Sequence, residues 1–155
     1  RICLGRNVVA IEKTLAIIKP DAVAKNYAGK ILAQIEANGL KIVASKMTHL
    51  TREKAEKFYS EHVDQIFYKP LIKYMSSGPI IVKVFEGDHA ISNLRKIMGA
   101  TIPSNAKEGE IRKLYGNHEP VNGTYENAIH GSDSLESAER EINFFFTNDE
   151  LCERI

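Results

Sequence analysis

The sequence predicts an α+β domain, an α/β sandwich of ferredoxin-like βαββαβ order, with a four-stranded antiparallel sheet and helices packed on it. Two observations carry this. Four short β-rich runs, "TLAIIKPD", "LKIVASKMTHL", "PIIVKVFEG" and "ENAIH", are each bounded by turn residues. Between them lie segments whose apolar residues recur at helical spacing.

Pro20 disfavours the helical region at Lys19, so the first run reads as a strand ending there. In "AGKILAQIEANGLKI", Ile31, Leu32 and Ile35 share a helical face and Asn38-Gly39 caps it. The second strand follows. Thr51 is placed to cap a helix holding Ala55, Phe58 and Tyr59, and one more short helix is expected after Pro70. Pro79 opens the third strand, where a missing N–H is tolerated. "DHAISNLRKIMG" reads as a helix with Asp88 as N-cap and Gly99 as C-cap. Residues 100–126 show little periodicity and are expected as one long loop, a kind of segment that is usually functional or disordered. After the fourth strand, a last helix carries the stripe Leu135, Ala138, Ile142 and Phe145. Its N-terminus is read as an Asp133/Glu136 capping box, and Glu136–Arg140 as an i,i+4 pair. The helices are expected on one face of the sheet. Residues 1–11 read as an N-terminal arm or tag and 12–155 as a single domain.

A chain of 155 residues suits one core. Its net charge of +1 argues against a dedicated nucleic-acid surface, although a local basic pocket can hide in a neutral total. No apolar run approaches the ~18 residues needed to span a bilayer, and no signal peptide is evident. Cys3 and Cys152 lack zinc-type spacing and read as free thiols in a reducing compartment, hence a cytoplasmic location.

Several residues could carry chemistry. Lys19, at a strand end, is either a solvated lysine at a turn or an ammonium aimed into a cleft, able to hold phosphate. Arg95 near a helix C-terminus is favourable without any function. Together with Thr101 and Arg112 around one irregular segment, it could equally clamp phosphate oxygens, which suit the guanidinium fork. His130 ends the fourth strand, and Glu141 lies at the margin of the last helix's buried stripe. A carboxylate that accepts from one ring nitrogen leaves the other free as a nucleophile of fixed tautomer. The alternative is a strand-end histidine satisfied by a helix. Gly131 leaves room for an incoming group, and Ser132 is placed to bond Glu141. The histidines form no metal-chelating motif, and no glycine-rich phosphate loop is present, so phosphate would have to be held by side chains.

The blocks "TLAIIKPDAV", "GLKIVASKM", "YMSSGPIIVKVFEG", "LRKIMGAT", "GEIR" and "NAIHGSDSLESAEREINFFF" resemble the nucleoside diphosphate kinases, in that family's order, from about Glu12 to Phe146. The chain ends soon after "FFF", as bacterial members do. The resemblance implies transfer of the γ-phosphate of a nucleoside triphosphate such as ATP to a nucleoside diphosphate, by a ping-pong path through a phosphohistidine at His130. It implies that Lys19, Arg95, Thr101 and Arg112 hold phosphates and that Tyr59 neighbours the histidine. It further implies that Asn127 contacts the sugar, Phe67 stacks on the base, and Glu141 orients His130. Mg²⁺ would bridge phosphates and waters with no direct protein ligand, and the protein would be a homo-oligomer, a tetramer or a hexamer. The sequence departs from the family pattern at "QIFY" before and around Phe67, at Ile102, and between Arg112 and Asn127. There "KLYGNHEPVNGTYE" is about five residues longer, with Gly116, Pro120 and Gly123 marking an extra turn. The competing function is a non-catalytic ferredoxin-like module that binds nucleotide or nucleic acid; it predicts a lost histidine or a lost clamp residue.

Overall fold

The computed structural model describes residues 10–154; residues 1–9 of the expected arm, Cys3 among them, lie outside the described residues. Four strands, β1 (Ile11–Ile18), β2 (Lys41–Thr48), β3 (Ile80–Asp88) and β4 (Ile129–Gly131), form one sheet in the order β2-β3-β1-β4. Every pairing is antiparallel. β1 starts at Ile11, three residues earlier than "TLAII" suggested, because its whole length finds a partner: Ile11 pairs with Asp88 and Ile18 with Ile81. In β2 the register slips between Ile42 and Ala44, so Val43 is the extra residue of a bulge.

Among the described residues, seven helices surround the sheet: α1 (Pro20–Ala24), α2 (Ala28–Ala37), α3 (Arg52–Phe58), α4 (Tyr68–Met75), α5 (Ala90–Met98), α6 (Ile111–Tyr115) and α7 (Leu135–Phe145). They cover both faces, not one. Leu15, Ile17, Val82 and Val84 pack with α3, α4 and α7. Ala16, Ile18 and Phe85 pack with α2, α5 and α6. The reason is in the strands. "LAII" is a continuous apolar run rather than an alternating one, the pattern of a strand buried on both sides.

Other local expectations are corrected. The N-cap of α5 is His89, at φ +49°, while the Asp88 carboxylate instead accepts from the Ala10 N–H at 2.9 Å. α7 is capped by Ser134, whose hydroxyl accepts from the Ser137 N–H at 3.0 Å, so the Asp133/Glu136 box does not form. Arg140 does not pair with Glu136; it reaches Glu61 at 3.1 Å and Glu141 at 3.6 Å. Leu135 is exposed, and the buried residues of α7 are Ala138, Glu141 and Ile142. α4 begins at Tyr68, before Pro70, which falls in the first turn where its absent N–H costs nothing.

Residues 100–126 are not one loop. A 3₁₀ turn at Pro103–Asn105 and α6 occupy its first half, and Ile111 and Arg112 of α6 are buried. The second half is a small hairpin. Val121 and Thr124 pair across Asn122 and Gly123, whose φ values of +50° and +81° suit the two-residue turn that Asn-Gly favours. Its base is stapled where the Asn117 N–H donates to the Glu126 carbonyl and the Asn117 amide to the Glu126 carboxylate, both at 2.8 Å.

Candidate active site

β4 pairs with β1 through only three positions, among them Ile17 with His130 and Ala16 with Gly131. Alternation along so short a strand sends Ile129 and Gly131 to the α5 side and His130 to the side of α3 and α7. His130 enters a cavity of about 590 Å³ where α3, α4, α7 and the end of β1 meet the hairpin.

The His130 Nε2 lies 2.9 Å from Glu141 Oε1. The same oxygen accepts from the Ser132 hydroxyl at 2.7 Å, and Ser132 Oγ accepts from the Leu15 N–H at 3.1 Å. The carboxylate of α7 is therefore tied to the central strand through Ser132. Burial pushes the Glu141 carboxyl up; the hydrogen bonds and charges of His130, Ser132 and Arg140 together outweigh it and hold it below the usual carboxylate range. The tautomer whose Nε2–H donates to Glu141 has its Nδ1 lone pair free. Phe58 meets the imidazole edge-on at 5.5 Å between centroids and Tyr59 at 6.4 Å, so the ring is confined as well as bonded. The Tyr59 hydroxyl is buried without a partner.

Three cations share the cavity. Lys19 Nζ donates to Asn127 Oδ1 at 2.8 Å; burial, then the Arg112 guanidinium, push its pKa down to about 7. Arg112 donates to the Gly99 carbonyl at 3.2 Å and to the Ile129 carbonyl at 2.8 Å, while its Nε has no partner. Burial and neighbouring Arg95 lower its pKa to about 10, which leaves it protonated at neutral pH. Arg95 donates to the Gly131 carbonyl at 3.0 Å and so is anchored beside the histidine. Asn127 also donates to the Thr101 carbonyl at 2.9 Å. Cations crowded together in a partly dry cleft, with the Arg112 Nε–H unpartnered, make a site suited to an anion.

The approach to β4 is strained. Ala128 has φ +74°, and the Ile129 N–H donates to the Asn127 carbonyl at 2.9 Å, the hydrogen bond of a three-residue γ-turn. The Lys19 N–H fixes that turn by donating to the Ala128 carbonyl at 2.8 Å. Lys19 and His130 thus hang from one backbone junction.

The structure places Lys19, Tyr59, Phe67, Arg95, Thr101, Arg112, Asn127, His130 and Glu141 around this one cavity. Phe67, 40% exposed, stands at its mouth. The sequence reading missed Phe58, Asp133 and the hairpin residues Gly123, Thr124 and Tyr125, which line it too. Asp133 had a signal, its place in "HGSDS", but it was read as a cap. Among the described residues no group of three or more His, Cys, Asp or Glu gathers to hold a metal, and no helix is long and apolar enough to cross a membrane.

The family model described as nucleoside diphosphate kinase matches residues 12–151. Among solved structures, the chain is 43% identical to the Aquifex aeolicus nucleoside diphosphate kinase, with a TM-score of 0.85, covering 92% of this chain and 99% of that one. It is 38% identical to a halophilic nucleoside diphosphate kinase from Halobacterium salinarum solved with CDP, TM-score 0.85, with 94% of each chain covered. It is 33% identical to the nucleoside-diphosphate kinase of Borrelia burgdorferi, solved as a transition-state mimic with vanadate and ADP, TM-score 0.88, covering 94% of this chain and 92% of that one. With a confined histidine among buried cations and a family match over nearly its whole length, this chain belongs to the nucleoside diphosphate kinase family of phosphotransferases.

Proposed function

We propose that His130 is the nucleophile of a ping-pong transfer from a nucleoside triphosphate, ATP among them, to a nucleoside diphosphate. The observation that carries this is the 2.9 Å contact of Nε2 with Glu141, which leaves Nδ1 as the unengaged ring nitrogen in a cavity lined by Lys19, Arg95 and Arg112. In the first half-reaction the Nδ1 lone pair attacks the γ-phosphorus and the bond to the β-bridging oxygen breaks. The diphosphate leaves with that bond's electrons. Nε2 keeps its proton, which stays hydrogen-bonded to Glu141, so the phosphorylated ring is cationic and its charge is met by the carboxylate. In the second half-reaction a terminal β-oxygen of the acceptor attacks the same phosphorus and the N–P bond breaks, restoring the neutral ring.

Lys19, Arg95 and Arg112 hold the phosphoryl oxygens, on which charge is spread in the transition state. Thr101 contributes to the same grip. Tyr59 reaches the phosphoryl group with its unmatched hydroxyl. Asn127 contacts the sugar. Phe67 stacks on the base, a contact that tolerates any base because each has a π-face. The donor set fits Mg²⁺ carried in on the nucleotide: among the described residues no three His, Cys, Asp or Glu gather into a protein cage, and Glu141 is already engaged by His130 and Ser132. When bound, the ion neutralises phosphate oxygens while keeping its waters.

We also infer a homo-oligomer, a tetramer or a hexamer, acting in the cytoplasm. β2 is an edge strand with Met47 61% exposed, a surface suited to burial against another copy. Mass measurement in solution tests the assembly.

The deciding experiment is incubation with γ-labelled ATP. An acid-labile, base-stable phosphoprotein is expected, discharged by a nucleoside diphosphate. His130→Ala should lose labelling entirely and keep the wild-type Tm. Labelling equal to wild type in that variant would remove His130 from this role, and binding without any turnover would favour the non-catalytic module.

A further inference from the structure

Behind Lys19 lies a buried pair that the transfer chemistry does not use. Asp21, two residues after Lys19 in the first turn of α1, is 8% exposed. Tyr74 of α4, 5% exposed, donates its hydroxyl to Asp21 Oδ1, and Asp21 Oδ2 has no hydrogen-bond partner. The Lys19 ammonium stands 5.6 Å from the centroid of the Tyr74 ring. A carboxylate with a bare oxygen is costly to bury unless a charge of opposite sign is near. Lys19 supplies that charge, standing over the ring whose hydroxyl bonds Asp21.

We propose that Asp21 and Tyr74 are positioning residues for Lys19, holding its ammonium on the cleft axis while the cleft is empty. This rests on the phosphate-holding role given to Lys19 above. The need for such a device follows from the surroundings. Arg112 of α6 opposes the lysine's charge, with Arg95 of α5 beside it, whereas Asp21 supports it. The other groups facing this corner are Tyr59, Tyr74, His130 and Glu141, together with Glu126 ahead of β4. Burial, then Asp21, raise the Glu126 carboxyl, so Glu126 is a poor substitute for Asp21. Burial and Arg112 hold the Lys19 pKa well below the usual lysine range, and Asp21 is the neighbour that opposes that shift. Losing its one anionic supporter tips it toward the amine, which cannot grip phosphate.

The test is ADP affinity by calorimetry from pH 6 to pH 9, with Asp21→Asn and Tyr74→Phe. Lys19 must be protonated to bind, so affinity should fall as pH rises through its pKa. In Asp21→Asn that fall should begin about one pH unit lower, giving roughly tenfold weaker binding near pH 8 and only a few-fold loss at pH 6. Comparing variant with wild type at each pH cancels titration of the diphosphate itself. Tyr74→Phe keeps the ring and should shift the profile in the same direction by less, so it carries the test if Asp21→Asn folds poorly. Equal loss at every pH, or no loss, would overturn the proposal and leave the pair a packing feature. The readout is binding, so failure of His130 to label would sink the transfer mechanism without touching this one.

Discussion

The two sides of β4 are built on opposite rules. On the α3–α7 side, His130 projects into open space, held by one carboxylate and two aromatic edges. On the α5 side, Gly131 leaves no space at all: a Cβ there would sit 2.6 Å from Met98 Sδ and 3.1 Å from a Leu94 methyl. Neighbouring residues thus serve reactivity and close packing, separated only by the alternation of a strand. The difference teaches where damage should appear. Changes on the histidine side should cost rate, and changes on the glycine side should cost stability.

The largest effect that sharpens this contrast is on rate. Glu141→Ala removes the carboxylate that, in the proposed transfer, fixes the tautomer and meets the ring's charge. Transfer should slow by roughly 10²-fold, within the usual range for acid–base and positioning losses. ADP binding should be nearly intact, since Glu141 faces the ring rather than the phosphate cations. Single-turnover labelling and discharge measure this, and unchanged turnover would remove Glu141 from its role.

Gly131→Ala should do the reverse. The added methyl must displace Met98 and Leu94, and overpacking of this kind costs about 1–3 kcal/mol. Relief of glycine's chain entropy returns at most about 1 kcal/mol. The net is a loss of a few degrees in Tm, at about 2–4 °C per kcal/mol for a chain of this size. Because Arg95 is anchored on the Gly131 carbonyl, kcat/KM should drop a few-fold while His130 still labels at saturating ATP. An unchanged Tm would show that α5 gives way freely and that the contrast between the two sides is overstated.

How much of this was legible depended on range. The His130–Glu141 pair could be read because its partners are eleven residues apart on one strand–helix unit. The apolar runs of β1 and β3 are equally visible, but a short continuous run does not by itself say whether one face or both carry helices. α6 was missed because five residues hold too little periodicity to register. The "VNGT" hairpin carries an Asn-Gly signal, but the alternating strands that normally flank one are absent. Asp21 and Tyr74 are separated by 53 residues and meet only through tertiary packing, which no local pattern encodes.

The smallest expected effect is at Ala128, the centre of the turn that leads into His130. Its φ of +74° costs a side chain about 1–2 kcal/mol that glycine would not pay. Against this, Ala128→Gly gives up a fully buried methyl worth about 0.8 kcal/mol and adds about 0.5–1 kcal/mol of unfolded-chain entropy. The terms nearly cancel, so Tm should move by no more than a degree or two. The rate should be more sensitive. The γ-turn is anchored by the Lys19 N–H on one flank and leads into His130 on the other, and a glycine there allows conformers in which the two no longer face the same phosphate. A several-fold fall in kcat at unchanged Tm would show that the strained turn positions the nucleophile, whereas unchanged kcat would show that Glu141 and the aromatic edges suffice.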